Sequence, residues 1–282
     1  MSDETPQAPS GQPPAVASAV RPDFIPKGDI GSEYMNTNDL QLPRIGLAQQ
    51  MSKEIEDGHP KFIEGLRIGM FFNNLTRKVM EPSKGPIYFA VIRGDKPRYI
   101  EFNPREQGGG VKDMDVPASD PRTKFRKDPV DPTKSLPPLA TKFYDYILFL
   151  VTPEGLPVDQ EDEMANIIGL SLKSTGLKVA RTLNGLIKFR NAPIYGGKYV
   201  LTSAQETNAK GTYFVYQIKN ATNPANPLDR MFGWLPRETY VLAEKLHNSL
   251  KDRTIVMERE PGDEDDFPSE PGDTAAGGES RM

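Results

Sequence analysis

Proline and glycine are spread so densely through this chain that long regular elements have little room to form. The 282 residues include 27 prolines and 24 glycines, about 18% of the chain, while only 37% of the residues are hydrophobic. Proline disrupts helix interiors and removes a hydrogen bond from a sheet, and glycine weakens both kinds of element. The composition therefore predicts a loop-rich protein with unstructured ends, not a compact helical one.

Both ends of the chain have the composition of disordered segments. Residues 1–38 are rich in Pro, Ala, Ser, Gln and Gly without periodicity, and residues 256–282 are acidic. Residues 258–282 contain nine acidic side chains and two arginines, a local charge of −7; because the whole chain carries −4, residues 1–257 carry +3. Such segments cannot bury enough apolar surface to offset their ordering entropy. We expect a single folded domain, residues 39–255, between two disordered ends.

The folded region alternates apolar and polar residues over short stretches, which is typical of strands. The predicted strand segments are 85–103 (a hairpin turning at 94–97), 140–152, 166–174 and 198–219 (a second hairpin with Gly211 in a left-handed turn position). Shorter strands are predicted within 40–52 and 62–76. Helices are predicted over 175–189, capped by Ser174, and over 236–252.

About five antiparallel strands with a helix between the third and the fourth are typical of an OB-fold barrel. The predicted fold class is therefore mainly β, of the α+β type. It is an OB-fold-like antiparallel barrel with a helix between strands, extra N-terminal strands and a C-terminal helix. The polar, glycine- and proline-rich segment 104–138 is a long insertion. Long irregular loops are uncommon in compact domains unless they are functional or mobile.

The residue types that most catalytic and metal sites need are scarce. The chain has no cysteine and only two histidines, His59 and His247, which lie far apart in the sequence. Disulfides and thiolate metal sites are excluded, and a zinc site or histidine triad is disfavoured. No P-loop, nucleophile-elbow or zinc-protease motif occurs. No signal pattern and no apolar run of about 20 residues is present. We expect a non-enzymatic, soluble intracellular protein without cofactor, metal or membrane association.

Basic and aromatic residues interleave in several segments. Binding of single-stranded nucleic acid needs cations along the phosphates and flat rings on which bases stack. The candidate nucleic-acid-binding residues are Arg93, Lys96, Arg98, Tyr99, Phe102, Arg105, Arg122, Lys124, Phe125, Arg126, Lys178, Arg181, Lys188, Lys198, Tyr199 and Tyr213. Duplex recognition is disfavoured, because no helix-turn-helix or zinc finger is visible and the folded region carries little net charge.

This arrangement resembles phage single-stranded DNA-binding proteins. The shared features are an OB-like β core, basic and aromatic strands, and an acidic C-terminal tail. Segments between residues 40 and 255 are also similar to those of a group of uncharacterised phage proteins: LPRIGLAQQMS, IEGLRIGMFFN, LATKFYDYILF, STGLKVARTLN and NAKGTYFVYQI. The resemblance implies coating of single-stranded DNA during replication or recombination, in the cytoplasm of an infected bacterial host. It also implies contacts between the tail and replication or recombination proteins, here through Asp263, Glu264, Asp265, Asp266 and Phe267.

Three hypotheses about function follow from the sequence. The first is sequence-tolerant binding of single-stranded DNA, with the acidic tail competing for the binding groove. The second is a structural or adaptor role in a phage virion or assembly complex, which predicts stable oligomers indifferent to nucleic acid. The third is a recombination-annealing protein, which binds DNA and also pairs strands. A homo-oligomer is compatible with each.

Overall fold

The computed structural model describes residues 42–104, 109–208, 211–222 and 232–251. These residues form a mainly β structure with antiparallel sheets and two helices, which confirms the predicted α+β class. The strands are β1 (Ile45–Leu47), β2 (Phe71–Asn73), β3 (Lys78–Val79), β4 (Ile87–Gly94), β5 (Arg98–Phe102), β6 (Val111–Asp113), β7 (Arg126–Lys127), β8 (Ser135–Leu136), β9 (Ala140–Val151), β10 (Ile167–Lys173), β11 (Gly197–Asn208), β12 (Gly211–Asn220) and β13 (Gly233–Trp234). The helices are α1 (Gly176–Phe189) and α2 (Arg237–Leu250). Residues 1–38 and 256–282, the two segments predicted to be disordered, lie outside the described residues.

β9 is the centre of the main sheet, and its long run of large apolar residues fits burial on both of its faces. β10 pairs with one edge, while β4 and β5 pair with the other. Successive side chains of a strand point to opposite faces. Tyr146 and Leu148 therefore enter one hydrophobic core, and Ile147 and Phe149 enter a second core on the other face.

The prediction of a hairpin over 85–103 is wrong, because β4 and β5 do not pair with each other. β4 pairs with residues 146–151 of β9 and β5 pairs with residues 140–143, both in the antiparallel sense, so β4 and β5 lie end to end along one edge. The connecting residues 95–97 form a bulge, in which the N–H of Asp95 donates to the carbonyl of Asp145 at 3.0 Å. A Gly-Asp-Lys-Pro sequence is compatible with a turn or a bulge, and the non-local partner β9 decides between them.

The second predicted hairpin is confirmed. β11 and β12 pair along their whole length, with Asn208 opposite Gly211. Gly211 has a φ of +133°, in the region that glycine adopts at low cost. β11 also pairs with β4 through residues 198–201, so the hairpin joins the main sheet.

Both predicted helices are present, within one or two residues of the predicted ends. α1 lies between β10 and β11, as the pattern predicts. The predicted cap is wrong, because the N-cap residue is Thr175 and its side chain forms no capping hydrogen bond. Ser174 instead has a φ of +46° at the end of the turn that precedes the helix.

The two helices cover opposite faces of the main sheet. α1 contributes Ala180 and Leu183 to the core that contains Tyr146. α2 contributes Ala243, Leu246 and Leu250 to the core that contains Ile147. Because these cores use alternate side chains of β9, α1 and α2 lie on its two sides.

Backbone groups at the outer edges of β10 and β12 form hydrogen bonds with two different parts of the N-terminal segment. The N–H of Gly169 in β10 donates to the carbonyl of Pro43 at 2.7 Å. The side-chain amide of Gln49 pairs with both backbone groups of Phe214 in β12, at 3.0 Å each. Among the described strands β10 and β12 do not pair with each other. Closure of the sheet into a barrel is therefore not shown.

The insertion 104–138 contains only short elements where it is described. β6 extends the main sheet by pairing with β5, and β7 pairs with β8 in a separate two-stranded ribbon. A short sheet of β1, β2 and β3 forms the N-terminal part of the domain. Within the described ranges, neither helix has the length and apolar character needed to cross a membrane.

Candidate nucleic-acid interface

A cleft opens where the outer edge of β4 and β5 has no neighbouring strand. β11 pairs with β4 only through residues 87–90, and β6 pairs with β5 only at residues 101–102. The gap between these pairings is a cleft of about 720 Å³. We call it the basic cleft; it is lined by Arg93, Gly94, Asp95, Lys96, Arg98, Met114, Asp115, Ile194, His247 and Lys251.

Three elements form the walls of the basic cleft. Its floor is the β4–β5 bulge, one wall is the segment after β6, and the other wall is the C-terminal end of α2. Arg93 joins the floor to α2, because its Nη1 donates to the carbonyl of Leu250 at 2.7 Å. Its Nε also donates to Asp95 at 2.6 Å, so much of its charge is neutralised.

The basic cleft carries a net positive charge. Arg93, Lys96, Arg98 and Lys251 contribute +4 and the two lining aspartates contribute −2, which leaves +2 with His247 neutral. Lys96, Arg98 and Lys251 form no ion pair within the described part of the chain, although Arg98 Nη2 lies 3.5 Å from the Met114 carbonyl oxygen. The carbonyl end of α2 works against an anion, and Lys251 offsets it. The cleft therefore attracts anions through cations that form no ion pair among the described residues.

His247 is fixed at the wall of the basic cleft by its Nδ1 atom. Nδ1 lies 2.7 Å from the carbonyl oxygen of Ile92, and since a carbonyl can only accept, Nδ1 carries the proton. The imidazole also packs on Tyr195, with ring centroids 5.0 Å apart. Burial raises the pKa of Tyr195, whose hydroxyl donates to Glu244 at 2.9 Å. These contacts keep α2 in place and give the cleft a rigid wall.

The structure brings three of the sequence-predicted residues together in the basic cleft: Arg93, Lys96 and Arg98. Tyr99 and Phe102 follow on β5 but are half-buried. Lys142 Nζ lies 5.8 Å from the centre of the Tyr99 ring, and Phe102 packs against Phe143 at 6.1 Å. Both rings therefore contribute to packing, and Tyr99 lies on the sheet face opposite to Arg98.

Arg122, another candidate, is held by carboxylates. Its guanidinium contacts Glu101 at 2.6 Å, Asp120 at 2.9 Å and Asp113 at 3.1 Å. Hydrogen bonds from Lys112 and Arg122 lower the pKa of the buried Glu101. Arg122 therefore anchors the later part of the insertion to β5 and to the insertion's own strand β6, and its charge is already compensated.

The ribbon residues Lys124, Phe125 and Arg126 are exposed, as a nucleic-acid contact requires. Phe125 exposes 62% of its surface, between two cations. Lys178, Arg181 and Lys188 are also exposed, on α1.

Three further candidates are buried. Lys198 is 5% exposed and its Nζ donates to the carbonyl of Pro153 at 2.6 Å. Tyr199 is 1% exposed, stacks on Phe89 and lies beneath the guanidinium of Arg190 at 4.6 Å. Tyr213 is 9% exposed and donates to Glu206 at 3.2 Å. Their side chains are committed to the interior, so they do not form part of a surface interface.

Arg105 and the tail residues Asp263, Glu264, Asp265, Asp266 and Phe267 lie outside the described residues. In the described ranges, no group of three or more His, Asp or Glu side chains could hold a metal ion.

A family model described as Pam3 phage gp34-like protein matches residues 15–256. The chain belongs to this phage protein family. No curated protein and no solved structure gives a significant match. The family match includes every described residue and therefore the whole basic cleft. It ends two residues before the acidic segment that starts at Glu258.

Sequence patterns miss several residues of this candidate interface. His247 and Lys251 reach the basic cleft from α2, more than 150 residues after the β4–β5 bulge. Nothing local to either residue indicates that position, because it depends on how α2 packs. Phe189 is 83% exposed at the end of α1, and its position on the polar side of the helical pattern could have revealed it.

Proposed function

We propose that this protein binds single-stranded DNA without sequence preference and protects it during phage replication or recombination. The observation that supports this function best is the basic cleft, a rigid groove at an unpaired sheet edge with three cations that form no described ion pair. A single-strand groove needs only such a local cationic track, whereas duplex binding needs a larger basic surface.

The strand connectivity supports an OB-like core for this function. β4 pairs with β9 and β11, β9 pairs with β10, α1 connects β10 to β11, and β11 pairs with β12. This is the order of a five-stranded OB-fold core with its helix between the third and the fourth strand. We propose that these five strands form an OB-like domain, with β10 and β12 at the open seam.

The basic cleft lies beside helix α2, which covers the outer face of this core. OB folds bind oligonucleotides on the face of the second and third strands, which correspond here to β9 and β10. In this chain α2 packs over Ile147, Phe149 and Ile167 on that face. Phe143 is only 1% exposed, so the face is covered at its other end as well. The gap that remains beside α2 is the basic cleft, so we place the bound strand there.

In this proposal the exposed Phe125, next to the β7–β8 ribbon, supplies a stacking contact for the bound strand. Lys124 and Arg126 flank Phe125, and stacking on an aromatic ring stabilises a bound base by about 1–3 kcal/mol. The acidic tail, with −7 over residues 258–282, competes with the strand for the cationic surface and recruits replication or recombination proteins in this proposal. The site of action is the cytoplasm of the infected bacterium.

The decisive experiment is binding of fluorescently labelled oligo-dT of about 20 nucleotides, longer than the roughly 4–16 nucleotides that one OB fold covers. We expect binding that weakens steeply as salt rises, and a double variant, Lys96→Ala with Arg98→Ala, that binds about tenfold more weakly. The slope of log K against log salt should fall by about 1.4, or ~0.7 for each lost phosphate contact.

The matched control removes two exposed lysines of the small sheet region, Lys53→Ala with Lys78→Ala, which changes the net charge equally. Equal losses in the two double variants would mean non-specific attraction and would exclude the basic cleft as the site. Absence of binding at low salt, together with a stable oligomer, would instead favour the virion or assembly role. Pairing of complementary strands in an annealing assay would add the third activity to DNA binding.

A further inference from the structure

The exposed side of α1 is cationic and carries an unusually exposed aromatic ring. At ~100° per residue, Lys178, Arg181, Lys188 and Phe189 fall within an arc of about 100° around Gly185. We call this surface the α1 basic face. The buried residues Ala180 and Leu183 lie on the opposite side of the helix.

The charge of the α1 basic face is not compensated by its own helix. Residues 176–189 contain three cations and no acidic residue. Within the described residues, none of Lys178, Arg181 and Lys188 forms an ion pair. A surface of this charge is complementary to an anionic ligand, and repulsion among its cations is relieved when one binds.

Phe189 has the placement of a stacking residue. It exposes 83% of its surface, more than Phe125 with 62%. Its ring carbons would lie 3.8 and 4.0 Å from a Cβ atom at residue 185, so the ring rests back over Gly185. A flat apolar ring between cations on a solvent-facing helix offers a base both a stacking surface and neighbouring phosphate contacts.

The α1 basic face is also close to the basic cleft along the chain. Phe189 ends α1, and Ile194, which lines the cleft, follows five residues later. Five residues span at most about 18 Å. At ~3.4 Å per stacked nucleotide, about five nucleotides are enough to connect Phe189 with Ile194.

We propose that the α1 basic face continues the nucleic-acid track beyond the basic cleft, and that Phe189 stacks a base of the bound single strand. This inference rests on the proposed function. It adds a stacking residue and a minimum ligand length, because a strand confined to the cleft does not reach α1.

The test measures how the full-length protein binds labelled oligo-dT of about 4 and about 20 nucleotides, on either side of the connecting length of about five nucleotides. Phe189→Leu keeps an apolar side chain without a ring, and Phe189→Tyr keeps the ring. We expect Phe189→Leu to bind the 20-mer about tenfold more weakly, as loss of one stacked base predicts. Phe189→Tyr should stay within about twofold of the unchanged protein, and neither variant should alter binding of the 4-mer.

Val241→Leu, at an exposed apolar position of α2, is the control for a surface change that should leave both affinities unchanged. Unchanged 20-mer binding by Phe189→Leu, with a clear loss in Lys96→Ala/Arg98→Ala, would overturn this inference and leave the proposed function standing. Tighter 20-mer binding by Phe189→Leu would also overturn it and would assign the face to the acidic tail. No binding of either oligonucleotide by any form would refute the proposed function itself.

Discussion

Glu101 holds the insertion to the main sheet through two charged hydrogen bonds. Its carboxylate, 5% exposed, accepts from Lys112 at 2.7 Å and from Arg122 at 2.6 Å. Glu101→Gln keeps the size of the side chain but removes its charge. We expect this substitution to lower the free energy of unfolding by about 2 kcal/mol, since a hydrogen bond to a charged group contributes roughly 1.5–3 kcal/mol to stability. Urea unfolding followed by Trp234 fluorescence measures this, and the exposed Glu161→Gln is the control expected to change little.

The same carboxylate gives a pH dependence with a definite sign. Hydrogen bonds from Lys112 and Arg122 lower the pKa of Glu101 in the folded state, so its stabilisation is present above the unfolded pKa of ~4.3. It is lost as the pH falls through the lower, folded pKa. The stability difference between the unchanged protein and Glu101→Gln should therefore be constant near pH 7 and shrink below about pH 4. A difference that grew on acidification would contradict this assignment.

Gln49 takes the place of a neighbouring strand at the edge of β12. Its side chain, 3% exposed, accepts from the N–H of Phe214 and donates to the carbonyl of the same residue. Gln49→Leu leaves both backbone groups without their partner, and we expect a loss of about 1–3 kcal/mol in unfolding free energy. Gln217→Leu, at an exposed position of the same strand, serves as the control. Equal stability of the two variants would show that Gln49 only fills space.

Single residues also show why the candidate site was only partly predictable. Lys198 and Arg122 have the residue type of a phosphate contact, but their partners are Pro153 and Glu101, which are 45 and 21 residues away in the chain. No local pattern distinguishes such a committed cation from one that faces solvent. Lys96, Lys124 and Lys188 are also cations, but their side chains are exposed to solvent.

At the scale of elements, local patterns predicted α1, α2 and the β11–β12 hairpin, because the signals for each lie within the element itself. The prediction of a hairpin over 85–103 was wrong because both a hairpin and a bulged strand fit the alternation of apolar and polar residues and the Gly-Asp-Lys-Pro sequence. The pairing of β4 and β5 with one edge of β9 depends on residues 39 to 63 positions further along the chain. The longer strands and the local β11–β12 pairing were therefore predictable here, and the non-local pairing of β4 and β5 with β9 was not.

Replacing Gly185 should stabilise helix α1. This glycine lies in the middle of the helix, and a Cβ atom there would meet only the Phe189 ring, at ordinary contact distance. Gly185→Ala should raise the unfolding free energy by about 1 kcal/mol through helix propensity. Thermal unfolding by circular dichroism measures the shift, which should be a few degrees upward. Gly176→Ala is the contrasting variant, because its Cβ would lie 3.4 Å from the buried Leu172. An equal gain in both variants would point to an effect on the unfolded chain alone.

At the scale of the whole molecule, an anionic segment and two cationic surfaces belong to one chain. Lys251 lines the basic cleft and is only seven residues before Glu258, where the −7 segment begins. Seven residues span at most about 25 Å, so tail and cleft are held at high local concentration. In the proposed function, a tethered anion at such a concentration would compete with a nucleic-acid strand without any change in the cleft itself.

Deletion of residues 258–282 should therefore tighten oligo-dT binding by several-fold at about 50 mM salt. The gain should shrink towards 200 mM salt, because screening weakens the attraction between the tail and the cations. A full-length variant with its nine acidic tail residues changed to Asn or Gln should reproduce the gain, since charge and not length is the cause. A variant with the order of residues 258–282 shuffled should bind like the unchanged protein. Unchanged affinity after deletion at low salt would reject competition by the tail, while leaving open its use in recruiting other proteins.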